Sequence, residues 1–112
     1  MRAAVVFGIA FLSIGCSPCE DRLLSRVLSP DETKEAVSFI RDCGATTAPA
    51  FHIALTVPGH QPSAENTVAI FDHTESIGLR WEDSEKLHIT ADPNARKFRE
   101  LGTYDDVAIF YH

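Results

Sequence analysis

The sequence predicts an all-β domain behind an N-terminal leader, and three observations carry that prediction. From Asp21 onward, short apolar stretches recur about every 8–12 positions and are broken by Gly, Pro, Asp and Ser. One stretch, Phe51 to Val57, alternates Phe51, Ile53, Leu55 and Val57 with His52, Ala54 and Thr56, the period of a strand with one buried face. Ahead of both stands an apolar run that ends at Cys16. The expected architecture is a single small antiparallel meander sheet, or a partly open barrel or sandwich, after a cleaved leader helix.

Arg2 gives the leader its positive end, Ala3 to Ile14 form its apolar run, and Gly15 is the small residue that a signal peptidase requires. A helix of about 12 residues spans roughly 18 Å, short of the roughly 30 Å of a bilayer's hydrocarbon core. The run therefore reads as an export signal removed on maturation. Leu12-Ser13-Ile14-Gly15-Cys16 resembles a bacterial lipobox, with the leucine one place further from the cysteine than usual. That likeness makes Cys16 a lipidation site, with ordinary secretion as the alternative. Ser17, where inner-membrane retention usually has Asp, resembles an outer-membrane sorting pattern. The expected organisation is a signal peptide over 1–15, an anchor and tether over 16–22, and one β domain over 23–112.

The strands follow in order. Leu23 to Leu28 is the first, and Ser29-Pro30-Asp31 turns the chain. Ala36 to Arg41 is the second, with a polar loop from Gly44 to Pro49 leading to Phe51–Val57. Pro58-Gly59-His60-Gln61-Pro62-Ser63 is a loop by composition. Thr67 to Phe71 and Ile77 to Glu82 are further strands, and a turn at Asp83–Lys86 leads into Leu87–Thr90. Asp92-Pro93-Asn94 breaks the chain, and Val107 to Tyr111 is the last strand. Segment 30–43 has a helical alternative. Ser29, Pro30 and Glu32 stand where an N-cap, the first helical position and a capping-box acid would be, and Gly44 stands where a helix would stop.

Composition bounds the function. Of the 112 residues, 10 are Lys or Arg and 16 are Asp or Glu, a formal charge of −6. Loss of Arg2 with the leader leaves 9 bases against 16 acids, or −7. Such a domain lacks the basic face that nucleic acid demands. Anionic lipid repels it, so membrane attachment falls to lipid on Cys16. With Cys16 acylated, Cys19 and Cys43 are the remaining pair, in an oxidising compartment. A bridge between them closes a loop of about 25 residues, worth about 3.5 kcal/mol to a domain with little core. The rival, a redox or metal motif at Cys16-x-x-Cys19, lacks a second CxxC or a histidine at finger spacing.

Ser29-Pro30-Asp31, then Ala36-Val37-Ser38-Phe39, then Arg41-Asp42-Cys43-Gly44-Ala45-Thr46-Thr47 is an unusual succession. Together with Leu79-Arg80-Trp81-Glu82-Asp83 it resembles a family of small, exported, uncharacterised bacterial (lipo)proteins carrying an SPD…RDCGATT motif. The resemblance covers most of the chain after residue 19. It implies an extracytoplasmic domain, supports the Cys19–Cys43 bridge and favours a strand over 35–41. Glu32 departs from the family pattern, which has Gly there, and Ala48-Pro49 departs where Gly and an aromatic are usual. The family carries no established activity.

Residues able to do chemistry are few. In the Arg41–Thr47 loop, Arg41 could hold an anion, Asp42 could accept a proton, Gly44 permits a left-handed backbone, and Thr46 and Thr47 offer hydroxyls. The same residues better suit a stapled turn that hydrogen-bonds its own backbone. The five histidines, at 52, 60, 73, 88 and 112, show neither His-x-His nor HExxH spacing. No GxSxG elbow is present. Trp81 and Phe51 read as core. No catalytic residue, metal or cofactor is therefore expected. The expectation is a cell-envelope lipoprotein acting as a non-catalytic binding or structural module, with an envelope protein as a possible partner. Two alternatives stand beside it: an inhibitor or immunity-type protein that binds a cationic enzyme, and an enzyme using the Arg41–Thr47 loop.

Overall fold

The computed structural model describes residues 20–43 and 49–112. The leader, Cys16, Cys19 and the Gly44, Thr46 and Thr47 positions lie outside the described residues. Among the described residues the fold is all-β, with nine strands and no helix. They are β1 (Glu20–Leu28), β2 (Glu35–Asp42), β3 (Ala50–Thr56), β4 (Thr67–Asp72), β5 (Gly78–Asp83), β6 (Lys86–Thr90), β7 (Arg96–Glu100), β8 (Thr103–Tyr104) and β9 (Val107–Tyr111).

Two sheets share the chain. The first runs β1-β2-β3-β4-β7 and the second β5-β6-β9-β8. The β1–β4 meander is antiparallel throughout. The chain then leaves it to form the β5–β6 hairpin, returns as β7 beside β4, and leaves again for β8 and β9. β9 follows β8 through a hairpin turn within the second sheet and pairs with β6 in parallel, a departure from the antiparallel expectation. Neither sheet closes into a barrel.

One apolar layer joins the sheets. Ala36, Ile53, Leu55, Val68, Ala69 and Phe71 of the first sheet cluster with Leu87, Ile89, Val107 and Ile109 of the second. Leu87 and Ile89 flank the outward-leaning His88, the period-2 alternation of a half-buried strand. Side-chain hydrogen bonds from Trp81 and Tyr111, both packed against this layer, also cross between the sheets. The Trp81 indole donates to the Val27 carbonyl at 2.9 Å, and the Tyr111 hydroxyl donates to the Val68 carbonyl at 3.5 Å while also reaching Leu101 at 2.7 Å. Burial, reinforced by Glu100, pushes the Tyr111 phenol up to about 12. Trp81 is thus half-buried against the core with its polar edge satisfied, close to its expected role.

The segment with a helical alternative is strand β2. It is buried on both faces from Glu35 to Phe39, and Val37, Phe39 and Ala54 form a second small cluster on the side away from the main core. A helix would leave this run unpaired between its two neighbouring strands. The residues that resembled a helix cap build a turn instead. Ser29 N–H donates to Lys34 O at 2.9 Å, and Asp31 Oδ1 accepts from Ser29 Oγ, Thr33 N–H and Thr33 Oγ1. These hydrogen bonds, those of Thr33 foremost, hold the Asp31 carboxyl well below the usual carboxylate range. Glu32 sits in this turn at φ 62°, a left-handed backbone that suits glycine.

Four other expectations change. β1 begins at Glu20, inside the stretch read as tether. Val57 falls beyond β3 and is 59% exposed, because the chain bends away after Thr56. β7 and β8 had no counterpart in the sequence reading. β7 reads Arg-Lys-Phe-Arg-Glu and is exposed at every residue. It is an edge strand, and charge on an edge discourages pairing with other chains. Its hold on β4 includes a two-pronged ion pair, Arg96 Nε to Asp72 Oδ1 at 2.9 Å and Arg96 Nη2 to Asp72 Oδ2 at 2.8 Å.

Two predictions follow from these backbone and charge arrangements. Glu32→Gly relieves the left-handed strain and is expected to raise unfolding free energy by up to ~1 kcal/mol, read from urea denaturation. Arg96, helped by His73, depresses the Asp72 carboxyl from its ordinary 3.8 to about 2. The stabilisation from that pair is complete above the unfolded value and is lost as pH falls through the folded one. Denaturation curves between pH 4 and pH 2 should therefore show a fall in stability that Asp72→Asn flattens.

Candidate functional site

A groove of about 440 Å³ opens between the sheets where the β1–β2 turn, the end of β3 and the β8–β9 turn meet. Thr33 and Lys34 enter it from the β1–β2 turn. Leu55, Thr56 and Val57 come from the end of β3, and His60, Gln61 and Asn66 from the β3–β4 loop. Tyr104, Asp105 and Val107 form the wall contributed by the second sheet. Its size is within the range of small-molecule sites, and its lining mixes an apolar floor with polar and charged groups, as such sites do.

Buried Glu35 organises the first wall. Its Oε1 accepts from Gly59 N–H at 2.9 Å and from Arg26 Nη1 at 2.8 Å, and Arg26 Nη1 also lies 3.2 Å from the His60 carbonyl. The Gly59 hydrogen bond, more than Arg26, lowers the Glu35 carboxyl against the opposing effect of burial. Gly59 has φ 82°, so the bend that brings its N–H to Glu35 favours glycine there. His60 N–H closes the turn onto Val57 O at 3.0 Å. Further along, Asn66 Oδ1 accepts from Ser63 N–H at 2.8 Å, and Asn66 O accepts from Leu55 N–H at 3.0 Å. The loop is thus pinned at both ends. The opposite wall rests on a tight turn in which Asp105 and Asp106 have φ 50° and 62°. Left-handed residues at both turn positions match the twist of the flanking strands.

The groove holds polar groups with open valences. The Thr56 hydroxyl is buried and has no hydrogen-bond partner among the described residues. Lys34, His60 and Asp105 take part in no ion pair within 4.0 Å among the described residues. Elsewhere on the described surface several charges are matched. Asp31 meets Ser29 and Thr33, Asp72 meets Arg96 and His73, and Asp83 meets Glu85 N–H and Lys86.

Of the residues singled out in the sequence, His60 lines this groove, and Arg41 and Asp42, the described part of the 41–47 loop, do not. Arg41 faces Asp21 in the β1–β2 register and binds it through both prongs, Nε–Oδ1 at 2.8 Å and Nη2–Oδ2 at 3.0 Å. That hydrogen bonding lowers Asp21 and raises Arg41. The Arg41 guanidinium also stands 5.8 Å from the Phe39 ring, and His52 stacks on the same ring with centroids 5.2 Å apart. Burial, then the Arg41 charge, pushes the His52 imidazole down. Asp42 follows on the opposite face of β2. It borders a second cavity of about 430 Å³ with Glu20, Asp21, Arg22, Ile40 and Pro49.

Two histidines do converge. Parallel pairing sets His88 opposite Phe110 and brings it to His112. His88 Nδ1 lies 2.7 Å from His112 Nε2, and His88 Nε2 lies 2.7 Å from Glu82 Oε1. Phe110 stacks on the His88 ring at 5.0 Å. Among the described residues, no group of three or more His, Cys, Asp or Glu side chains is disposed to hold a metal ion.

Sequence reasoning missed the groove because its residues come from four separate places in the chain. The Pro58–Ser63 composition marked one loop, but Asp105-Asp106 lacks the glycine that advertises a two-residue hairpin turn. Comparison with protein families, with curated proteins and with solved structures returns no match for this chain.

Proposed function

We propose that this protein is an envelope-side binding module that offers the groove between its two sheets to a ligand. The observation that carries the reading is the groove itself: about 440 Å³, partly apolar, with Lys34, His60 and Asp105 around it in no ion pair within 4.0 Å among the described residues. A small domain that leaves charges unpaired around a concave, partly apolar site has the chemistry to bind, and the Glu35 clip holds one wall ready.

The sequence supports the setting. Residues 1–15 carry the chain out of the cytosol, lipid on Cys16 holds it at the outer membrane, and Cys19 pairs with Cys43. What supports that pairing is the β1–β2 register, in which Glu20 faces Asp42, the residues next in sequence to the two cysteines. Facing residues of an antiparallel pair have Cα atoms about 4.5–5.5 Å apart, within the range a disulfide spans. The SPD…RDCGATT likeness belongs to the same reading.

Amide NMR of the isotope-labelled chain, titrated with a panel of small polar metabolites, tests the groove. Shifts are expected to concentrate at residues 33–34, 55–57, 60–61, 66 and 104–107, and a panel that moves none of them overturns the reading. Mass spectrometry of the protein recovered from cells tests the setting. It is expected to find an acylated Cys16 at the N-terminus and, in a non-reducing digest, a peptide linked through residues 19 and 43.

A further inference from the structure

The two walls of the groove carry opposite charge. Lys34 and His60 belong to the side built from the first sheet, and Asp105 to the turn of the second. Lys34 and Asp105 are not paired with each other within 4.0 Å. The same groove is lined by Leu55, Val57 and Val107, which offer apolar contact, and by Thr56, whose buried hydroxyl has no hydrogen-bond partner among the described residues. A purely anionic ligand would be repelled by Asp105, and a purely cationic one by Lys34. A neutral ligand would leave both charges unmatched.

We propose that the groove takes a small zwitterion with an apolar body, the chemistry of an aliphatic α-amino acid or a short peptide with free ends. Its carboxylate faces Lys34 and His60, its ammonium faces Asp105, and its side chain lies over Leu55, Val57 and Val107. Charge-assisted hydrogen bonds at both ends fix its orientation, and the apolar floor adds affinity without selecting one aliphatic side chain sharply from another. The inference rests on the groove being the binding surface.

The test titrates the full chain, by amide NMR, with L-leucine and three blocked forms. N-acetyl-L-leucine keeps only the carboxylate, L-leucinamide only the ammonium, and N-acetyl-L-leucinamide neither. L-leucyl-L-leucine is the fifth probe and separates a peptide from a free amino acid. Either L-leucine or the dipeptide is expected to bind at least ~10-fold more tightly than the doubly blocked form, with shifts at the groove. Lys34→Gln is expected to erase the advantage of the carboxylate-bearing probes alone. Asp105→Asn should erase that of the ammonium-bearing probes alone, and Asn tolerates the left-handed backbone of that turn. Equal affinity for the zwitterion and the doubly blocked form refutes the charge assignment while leaving the groove reading in place. Shifts at the groove from a neutral sugar panel, with none from the leucine series, refute the ligand class in the same way. No shift there from either series overturns the inference and the groove reading together.

Discussion

Both sheets bury an apolar face in the same layer, and the first sheet adds only a small cluster of Val37, Phe39 and Ala54 on its other side. Phe71, Ile53 and Leu55 from one side and Leu87, Ile89, Val107 and Ile109 from the other form a single cluster. A domain of this size removes only about 60–65% of its unfolded surface from water, so the layer is the main source of its stability. The sheets are separated in sequence yet interleaved. β7 belongs to the first sheet although it lies between strands of the second. Pulling the layer apart would therefore unravel both sheets at once. The Trp81 and Tyr111 hydrogen bonds to Val27 and Val68 add directional links between the sheets beside this contact.

The groove is a consequence of how the layer ends. At the finish of β3 the chain cannot continue straight, because Glu35 captures the Gly59 N–H and Arg26 captures the His60 carbonyl. The bend turns Val57 out and swings the loop aside, opening space opposite the β8–β9 turn. A buried carboxylate is costly unless it is hydrogen-bonded, and Glu35 meets that condition with a backbone donor and a guanidinium. The two positive φ values at Asp105 and Asp106 place the facing wall. Loop closure on one side and a strained turn on the other thus give the site its shape, while the core supplies its apolar floor.

Charge is distributed unevenly over this frame. The ion pairs Arg41–Asp21, Arg26–Glu35 and Arg96–Asp72 each join neighbouring strands or a strand and a loop of the first sheet. In the Arg41–Asp42 string, β1 supplies Asp21 as Arg41's counter-charge. Lys34 and Asp105 take part in no ion pair within 4.0 Å among the described residues, as is also true of Arg22, Arg80, Lys97 and Arg99 elsewhere; the groove differs in setting its charges around a concave, partly apolar space.

The strands with a clear period were legible in the sequence. Phe51–Thr56, Leu87–Thr90 and Val107–Tyr111 alternate because each buries one face, and alternation is a property of neighbouring residues. The turn at Ser29–Asp31 was legible too, since its side chains hydrogen-bond their own backbone, although the same residues fit a helix cap. The strand identity of Glu35–Asp42 was decided by its two neighbours, because a run buried on both sides has no period to read. β7 was hidden because an edge strand made of Arg, Lys and Glu carries no apolar signal. The parallel pairing of β6 with β9, the Glu82–His88–His112 contact and the groove depend on segments distant along the chain. The sequence by itself determined the all-β class, the turns and the charge balance, which follow from local patterns. Only the tertiary structure decided which strands share a sheet and which charges go unpaired, because those depend on where the apolar layer brings distant residues together.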